Sequence, residues 1–214
     1  MKFSFETIEN FDEHIRKSIP NYDLLIKTIL RLSDYFLVEQ KNVYDLGCST
    51  GKMLIDLNFT NGYKIGYDKS ISLLPKVNDE NLIFKVVDLE CEPLGLSNAC
   101  IIYSLFTLQF IRKENRLSVL KEIYNGLIDG GAFFYTEKIY SRYSQTQDIF
   151  TFGYYDYKKE NFSEKEILDK EKDLRLILRP KTFRENERML YNAGFKIVEP
   201  FYKYFNFAGW LCIK

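Results

Sequence analysis

Apolar residues recur at helical spacing in two stretches near the start of the chain. Residues 7–19 and 21–37 each read as an amphipathic helix, the second carrying Leu25, Ile29, Leu32 and Phe36 on a stripe widened by Leu24 and Ile26. The break between them falls at Ser18-Ile19-Pro20. From residue 42 the pattern changes to short apolar runs separated by helical segments. It predicts strands over 42–46, 63–67, 82–86, 99–105 and 131–137, with helices over about 51–57, 70–76 and 113–127. Gly130-Gly131 is expected to close the long helix before the buried strand Ala132-Phe133-Phe134-Tyr135-Thr136. Residues 141–180 interrupt the alternation with polar, aromatic and charged positions, and helices are predicted around 144–157 and 163–175. A helix over 181–193 then leads to Gly194 and to strands 195–201 and 205–213, which lie too close together for a crossover and so pair antiparallel.

Strands alternating with helices imply an α/β fold, a mostly parallel sheet with helices on both faces. At 214 residues and 46% hydrophobic, the chain is expected to form one domain, with 1–38 as a helical cover and 141–180 as an insertion over the strand ends. The 30 basic and 30 acidic side chains cancel, so no global field draws the protein toward nucleic acid or an anionic membrane. Cys48, Cys91, Cys100 and Cys212 form no Cys-x-x-Cys pair, and the single histidine, His14, argues against a zinc site. Reduced thiols, the absence of an apolar leader in Met1-Lys2-Phe3-Ser4-Phe5-Glu6 and the lack of any apolar run of ~20 residues lead to the expectation of a cytoplasmic protein outside the membrane.

The stretch with most chemical content is Val43-Tyr44-Asp45-Leu46-Gly47-Cys48-Ser49-Thr50-Gly51, a buried strand running into a small-residue turn that opens a helix. Such a turn lets the backbone approach a ligand closely and presents helix N–H groups to it. A dinucleotide site would use Gly-x-Gly-x-x-Gly, but Ser49 stands at the second glycine position and Lys52 at the third, which weakens the case for a pyrophosphate. Asp45 just before the turn suits a cationic ligand instead. S-adenosylmethionine carries both an ammonium and a sulfonium, so Asp45, Gly47, Cys48, Ser49 and Gly51 are its candidate contacts. Gly47-x-Ser49-x-Gly51 also matches the nucleophile elbow of serine hydrolases, but His14 precedes Ser49 and the required order of serine, acid, histidine fails.

Asp68 ends the strand Tyr63-Lys64-Ile65-Gly66-Tyr67, about twenty residues past the glycine turn, where a carboxylate can accept both ribose hydroxyls. Asp88 follows Phe84-Lys85-Val86-Val87 at the same carboxyl edge, positioned for an adenine amine with the Leu89 N–H beside it; a plain turn aspartate is the other reading. Tyr154, Tyr155 and Tyr157 with Lys158 and Lys159 resemble a base-stacking surface, but the mixed Lys and Glu from 158 to 172 read as a solvated helix face. Direct nucleic-acid binding is therefore not expected, and the aromatics are expected to pack as a lid or dimer surface.

Taken together, Ser18-Ile19-Pro20-Asn21-Tyr22, Tyr44-Asp45-Leu46-Gly47-Cys48-Ser49, Phe106-Thr107-Leu108-Gln109-Phe110, Ile123-Tyr124-Asn125-Gly126-Leu127, Glu137-Lys138 and Phe205-Asn206-Phe207 resemble class I S-adenosylmethionine-dependent methyltransferases. The resemblance is strongest to the carboxy-S-adenosylmethionine synthases, which supply a carboxymethyl donor for wobble-uridine modification in tRNA. It implies a Rossmann-like fold, a mostly parallel seven-stranded sheet with an antiparallel C-terminal strand. It also implies that Tyr22 folds over the cofactor, Gly47 and Ser49 line its methionine part, Asp68 holds the ribose, and Asp88 and Leu89 meet adenine. The implied reaction removes a proton from the sulfonium methyl, and the resulting ylide captures carbon dioxide released from prephenate, leaving phenylpyruvate. A homodimer in which each subunit helps complete its neighbour's pocket is implied as well.

Three positions depart from the family pattern. Leu105 and Lys69 stand where the family has asparagines, and the arginine that clamps the added carboxylate falls at Met189 in a gapless alignment back from Ala193-Gly194-Phe195. A methionine cannot replace a guanidinium fork, so Arg184 and Arg188 on the same predicted helix are the candidates to take over substrate binding. The open alternatives are a methyltransferase acting on a small-molecule acceptor and a non-catalytic protein that binds the cofactor.

Overall fold

The computed structural model describes residues 8 and 10–214. The leader reading on Met1–Glu6, and the parts of the first predicted helix at Thr7 and Glu9, lie outside the described residues. Helix α1 spans Phe11–Ser18 and starts where the Asn10 side chain accepts a hydrogen bond from the Glu13 N–H, with Asp12 and Glu13 in its first turn and Arg16 and Lys17 in its last. That distribution complements the helix dipole. Helix α2 (Tyr22–Ser33) buries Leu25 and Ile29 of its predicted apolar stripe.

The remaining elements follow in order as β1 (Asn42–Leu46), α3 (Lys52–Asp56), β2 (Lys64–Asp68), β3 (Leu82–Val86), β4 (Ala99–Leu105), α4 (Arg116–Gly126), β5 (Leu127–Tyr140), α5 (Ser144–Lys159), α6 (Glu164–Ile177), β6 (Lys181–Thr182), α7 (Phe183–Ala193), β7 (Ile197–Tyr204) and β8 (Phe207–Ile213). The strands lie in the order β3-β2-β1-β4-β5-β8-β7, with the two-residue β6 pairing β5 off this path. Strands β1 to β5 pair in parallel, and β8 runs antiparallel between β5 and β7. The short-connection argument for an antiparallel C-terminal pair is borne out, and the seven main strands match the expected sheet.

Alternation along β5 divides the core between the two sheet faces. Phe133 and Tyr135 join Trp210, Phe195, Leu190 and Ile123 on one side; Phe134 joins Tyr103, Val43 and Ile29 on the other. Both layers are apolar, as expected of parallel strands buried on two faces. Because β1 sends the chain outward to β2 and β3 while β4 returns on its other side, the loops after β1 and β4 diverge and leave a crevice at their carboxyl ends.

Three sequence expectations are corrected. The helix expected near 70–76 is a turn, held by Leu73 N–H on the Ser70 carbonyl at 3.1 Å, because Pro75 lacks a donor and disfavours helical geometry at Leu74. Helix α4 begins at Arg116 rather than 113 and ends at Gly126, not at Gly130-Gly131. There Leu127 turns extended to pair with Ala99, and Gly130, with φ of 77°, takes up an irregularity inside β5. Lys181 and Thr182, expected within the next helix, form β6, and Thr182 caps α7 by accepting from the Glu185 N–H while the Glu185 carboxylate accepts from the Thr182 N–H. No helix among the described residues is long and apolar enough to cross a membrane.

Trp210 is fully buried between Tyr135 and Phe183, at ring-centroid distances of 5.6 and 4.8 Å, and its Nε1 has no hydrogen-bond partner among the described residues. Trp210→Ala is expected to cost about 3–5 kcal/mol, as large core deletions do. Trp210→Phe should cost within about 1 kcal/mol, because removing the orphaned N–H offsets much of the lost packing. Urea denaturation of both variants measures the difference.

Candidate functional site

The crevice at the carboxyl ends of β1 and β4 opens into a cavity of about 610 Å³. Its floor is the turn after β1. Gly47 has φ of 78°, and its N–H donates to the Tyr67 carbonyl at 2.7 Å, so the turn is pinned to β2. A Cβ at Gly47 would lie 2.3 Å from Thr107 Cγ2, which shows how tightly the loops after β1 and β4 abut. Only glycine satisfies both demands.

Ser49 follows in the left-handed region with φ of 49°, and this aims its N–H at Asp68 Oδ2, 2.9 Å away. Asp68 Oδ1 accepts from the Ser70 N–H, also at 2.9 Å. The carboxylate is thus oriented by backbone donors from two loops while lining the cavity. Ser49 lines the same space, and its hydroxyl is buried without a partner among the described residues.

Asp45 is buried beside this turn, and burial followed by the charge of Asp68 pushes its carboxyl up to about 7. Tyr22, at the start of α2, lines the cavity above it, and burial together with Asp45 and Asp12 drives its phenol well up, so it is a neutral hydroxyl. Burial, then Asp45 and Asp68, drives the Cys48 thiol up. An activated nucleophile is therefore not found at Cys48.

Asp88, Leu89, Lys69 and Leu105 also line the cavity. Asp88 keeps its turn role as well, since its Oδ1 accepts from the Glu90 N–H at 2.9 Å. Gly51 does not line it; with φ of 70° it starts α3, and a Cβ there would sit 2.4 Å from the Phe84 ring. Arg184 and Arg188 are placed elsewhere. The cap of α7 sets a phase in which Asn186, Met189, Leu190 and Ala193 are buried, which leaves both arginines exposed and outside the cavity. Their expected reach into the site is thereby corrected.

Besides Lys69 and Lys52, the cavity is lined by three cations to which the sequence reading gave no site role: Lys138 on β5, Lys170 on α6 and Arg179 just beyond it. Lys138 Nζ pairs with Glu171 at 3.1 Å and lies 5.2 Å from the centre of the Tyr154 ring. Lys170 Nζ donates to Ser18 Oγ at 3.2 Å and contacts His14 Nε2. Behind them Lys158 is buried between the rings of Tyr154 and Phe162, and burial lowers its ammonium to about 8 despite Glu171. His14 shares the cavity with Ser49 but is engaged with Lys170 and Ser18, and burial with Lys170 lowers it to about 4. The serine-hydrolase arrangement finds no support here.

A buried hub holds this wall. Gln109 takes Glu137 Oε1 on its backbone N–H at 3.0 Å, accepts the Lys138 N–H on its side-chain oxygen at 2.8 Å and donates to the Phe106 carbonyl at 2.9 Å. Arg116, fully buried, donates to the carbonyls of Gln109, Ile111 and Arg179. Burial pushes the Glu137 carboxyl up to about 8. The Phe106–Phe110 and Ser18–Tyr22 runs singled out in the sequence both reach the cavity, and Thr107, Ser18, His14 and the lysines become legible as site residues only once long-range contacts are known.

The carboxylates favour a cationic ligand on one wall and the ammonium groups an anionic one on the other. No family model matches the chain. Curated relatives do: the carboxy-S-adenosyl-L-methionine synthase of Staphylococcus epidermidis is 35% identical over 99% of this chain and 95% of its own. The synthase of the same name from Nautilia profundicola is 33% identical over 100% of this chain and 94% of its own. Among solved structures, an S-adenosylmethionine-dependent methyltransferase from Mesorhizobium loti superposes with a TM-score of 0.58 at 14% identity, covering 87% of this chain and 96% of that one. Fold, cavity and full-length similarity converge: the chain belongs to the carboxy-S-adenosyl-L-methionine synthase family, built on the S-adenosylmethionine-dependent methyltransferase fold.

Proposed function

We propose that the protein converts S-adenosylmethionine and prephenate into carboxy-S-adenosylmethionine and phenylpyruvate. The observation that carries this reading is that one cavity is lined both by carboxylates, Asp45 and Asp68 at the glycine turn, and by the ammonium groups of Lys138 and Lys170 from β5 and α6. The residues fit S-adenosylmethionine as substrate. In this reading the unpartnered Ser49 hydroxyl and the Gly47 backbone take the methionine end, Tyr22 closes over it, Asp45 offsets its positive charge, and Asp68 accepts the ribose hydroxyls. Asp88 and Leu89 serve adenine. Lys138, Lys170 and Arg179 then meet the carboxylates of prephenate and of the product, a part first sought on α7.

The co-substrate is a small molecule rather than RNA, because Tyr154 of the aromatic run is buried with its hydroxyl on the Ser18 carbonyl at 2.7 Å and has no face to offer a base. A homodimer is supported by apolar side chains left in solvent on the two lid helices, Phe152 (65% exposed) and Ile149 (58%) on α5 with Leu176 (67%) on α6. Such a patch favours burial against a second copy. All four cysteines are free thiols, which supports a reducing, cytoplasmic setting.

Asp45 makes substrate affinity pH dependent. Its folded-state pKa of about 7 lies above the ordinary carboxylate value, so in the empty cavity it is protonated below that point, and a cationic ligand must expel the proton. Affinity for S-adenosylmethionine is expected to fall up to about tenfold per pH unit below pH 7 and to level off as the pH passes it. Titration calorimetry should show this slope in the native protein and a flat, weaker profile in Asp45→Asn.

Mass spectrometry of the product formed from S-adenosylmethionine and prephenate tests the activity itself. Carboxylated product is expected, reduced about tenfold or more in Lys138→Ala through loss of a charge-assisted contact. Plain S-adenosylmethionine or S-adenosylhomocysteine alone would refute the reading. For the assembly, light scattering on the purified protein should return twice the chain mass, and the chain mass for Phe152→Glu.

A further inference from the structure

Asp12, on α1, lines the cavity together with Asp45 and Asp68, and the sequence gave it no role. The other two carboxylates are committed. Asp45 is buried within β1, and Asp68 has one oxygen on the Ser49 N–H and the other on the Ser70 N–H. Asp12 is half-buried and is held differently. Its Oδ1 accepts a hydrogen bond from the Thr50 hydroxyl at 2.7 Å, which ties α1 to the residue directly after Ser49 in the turn after β1.

The second oxygen of Asp12 has no hydrogen-bond or ion-pair partner among the described residues, and the basic side chains of its own helix are engaged elsewhere, Arg16 with Asp23 and Lys17 with Glu13. The charge of Asp12 acts on the Tyr22 phenol, as does that of Asp45, so both carboxylates bear on one side chain of the cavity wall. The same turn carries the Ser49 hydroxyl, buried and without a partner among the described residues. One end of the cavity thus holds a partly satisfied carboxylate beside an unsatisfied hydroxyl, the polar inventory that a small charged group completes.

The methionine end of S-adenosylmethionine brings two cationic centres, an ammonium and a sulfonium, and Asp45 alone is one negative group for the pair. We infer that Asp12 holds the ammonium, accepting from it with the oxygen that Thr50 leaves free. Thr50 is then a positioning residue, which orients the carboxylate without touching the ligand. The contact joins α1 to the turn after β1 around one end of the ligand, so the site is complete only with α1 in place. The inference rests on the reading that S-adenosylmethionine lies with its methionine end at this turn.

Two substitutions separate charge from tether. Asp12→Asn keeps an oxygen for the Thr50 hydroxyl and removes the charge; Thr50→Val removes the tether and keeps the charge. Calorimetry on the full chain compares S-adenosylhomocysteine, which has the ammonium, with 5′-methylthioadenosine, which keeps adenine and ribose but lacks the amino-acid end. Asp12→Asn is expected to weaken S-adenosylhomocysteine about tenfold or more, the range for a lost hydrogen bond between charged groups. It should leave 5′-methylthioadenosine within about threefold of native, which also reports that the variant folds. Thr50→Val should weaken S-adenosylhomocysteine by less than Asp12→Asn does. A loss in Asp12→Asn below about tenfold, a similar loss for both ligands, or a loss in Thr50→Val as large as in Asp12→Asn overturns the assignment and leaves Asp12 a tether of α1. Tighter binding of S-adenosylhomocysteine by Asp12→Asn also overturns it, because Asp12 would then face the ligand's carboxylate. A native protein that binds neither ligand overturns the underlying reading of the cavity instead.

Discussion

The clamp on Asp68 is the interaction from which the rest of the site follows. One carboxylate takes backbone N–H groups from the loops after β1 and β2, at 2.9 Å each, and so locks the two crossover turns of the sheet's first half to each other. Charge-assisted bonds of this kind are short and directional. They place a negative charge at the crevice, and they hold Ser49 in the left-handed conformation. Asp45 lies buried beside this clamp, and burial first, then the charge of Asp68, raises its carboxyl.

The opposite wall is held by different means. Local turns shape the Phe106–Phe110 loop, but the hub of Gln109, Glu137 and Arg116 ties it to Lys138 across elements distant in sequence. Arg116 satisfies carbonyls rather than carboxylates, an economical way to bury a guanidinium while joining the ends of three loops. Its Nη1 and Glu137 Oε2 have no hydrogen-bond partner among the described residues.

The division between local and long-range control explains what could be read from the chain. Period-two and period-3.6 patterns delivered the order of strands and helices, and the glycine turn with its two downstream acids delivered the cavity floor, because each depends on neighbours within about one crossover unit. Failures arose where a distant partner decides. Gly130-Gly131 has the local look of a helix stop, yet the stop comes at Gly126 because Leu127 finds Ala99. Arg184 and Arg188 have the right charge, but the cap at Thr182 turns them to solvent. Lys170 carried no local signal at all, lying in a charged helix face that resembles any solvated one, and its meaning comes from His14, 156 positions away.

Lys138 on β5 and Lys170 on α6 bring ammonium groups to the cavity from elements other than α7. Backbone strain points to the same place: Ser49 and Phe106, both with positive φ, bracket the contact between Gly47 and Thr107, and Asn21, also with positive φ, immediately precedes Tyr22. Each such conformation costs about 1 kcal/mol or more. Three of them around one cavity persist because the fold over-determines these loops, and a site rigid enough to hold strained backbone is also rigid enough to keep carboxylates and ammonium groups apart across it.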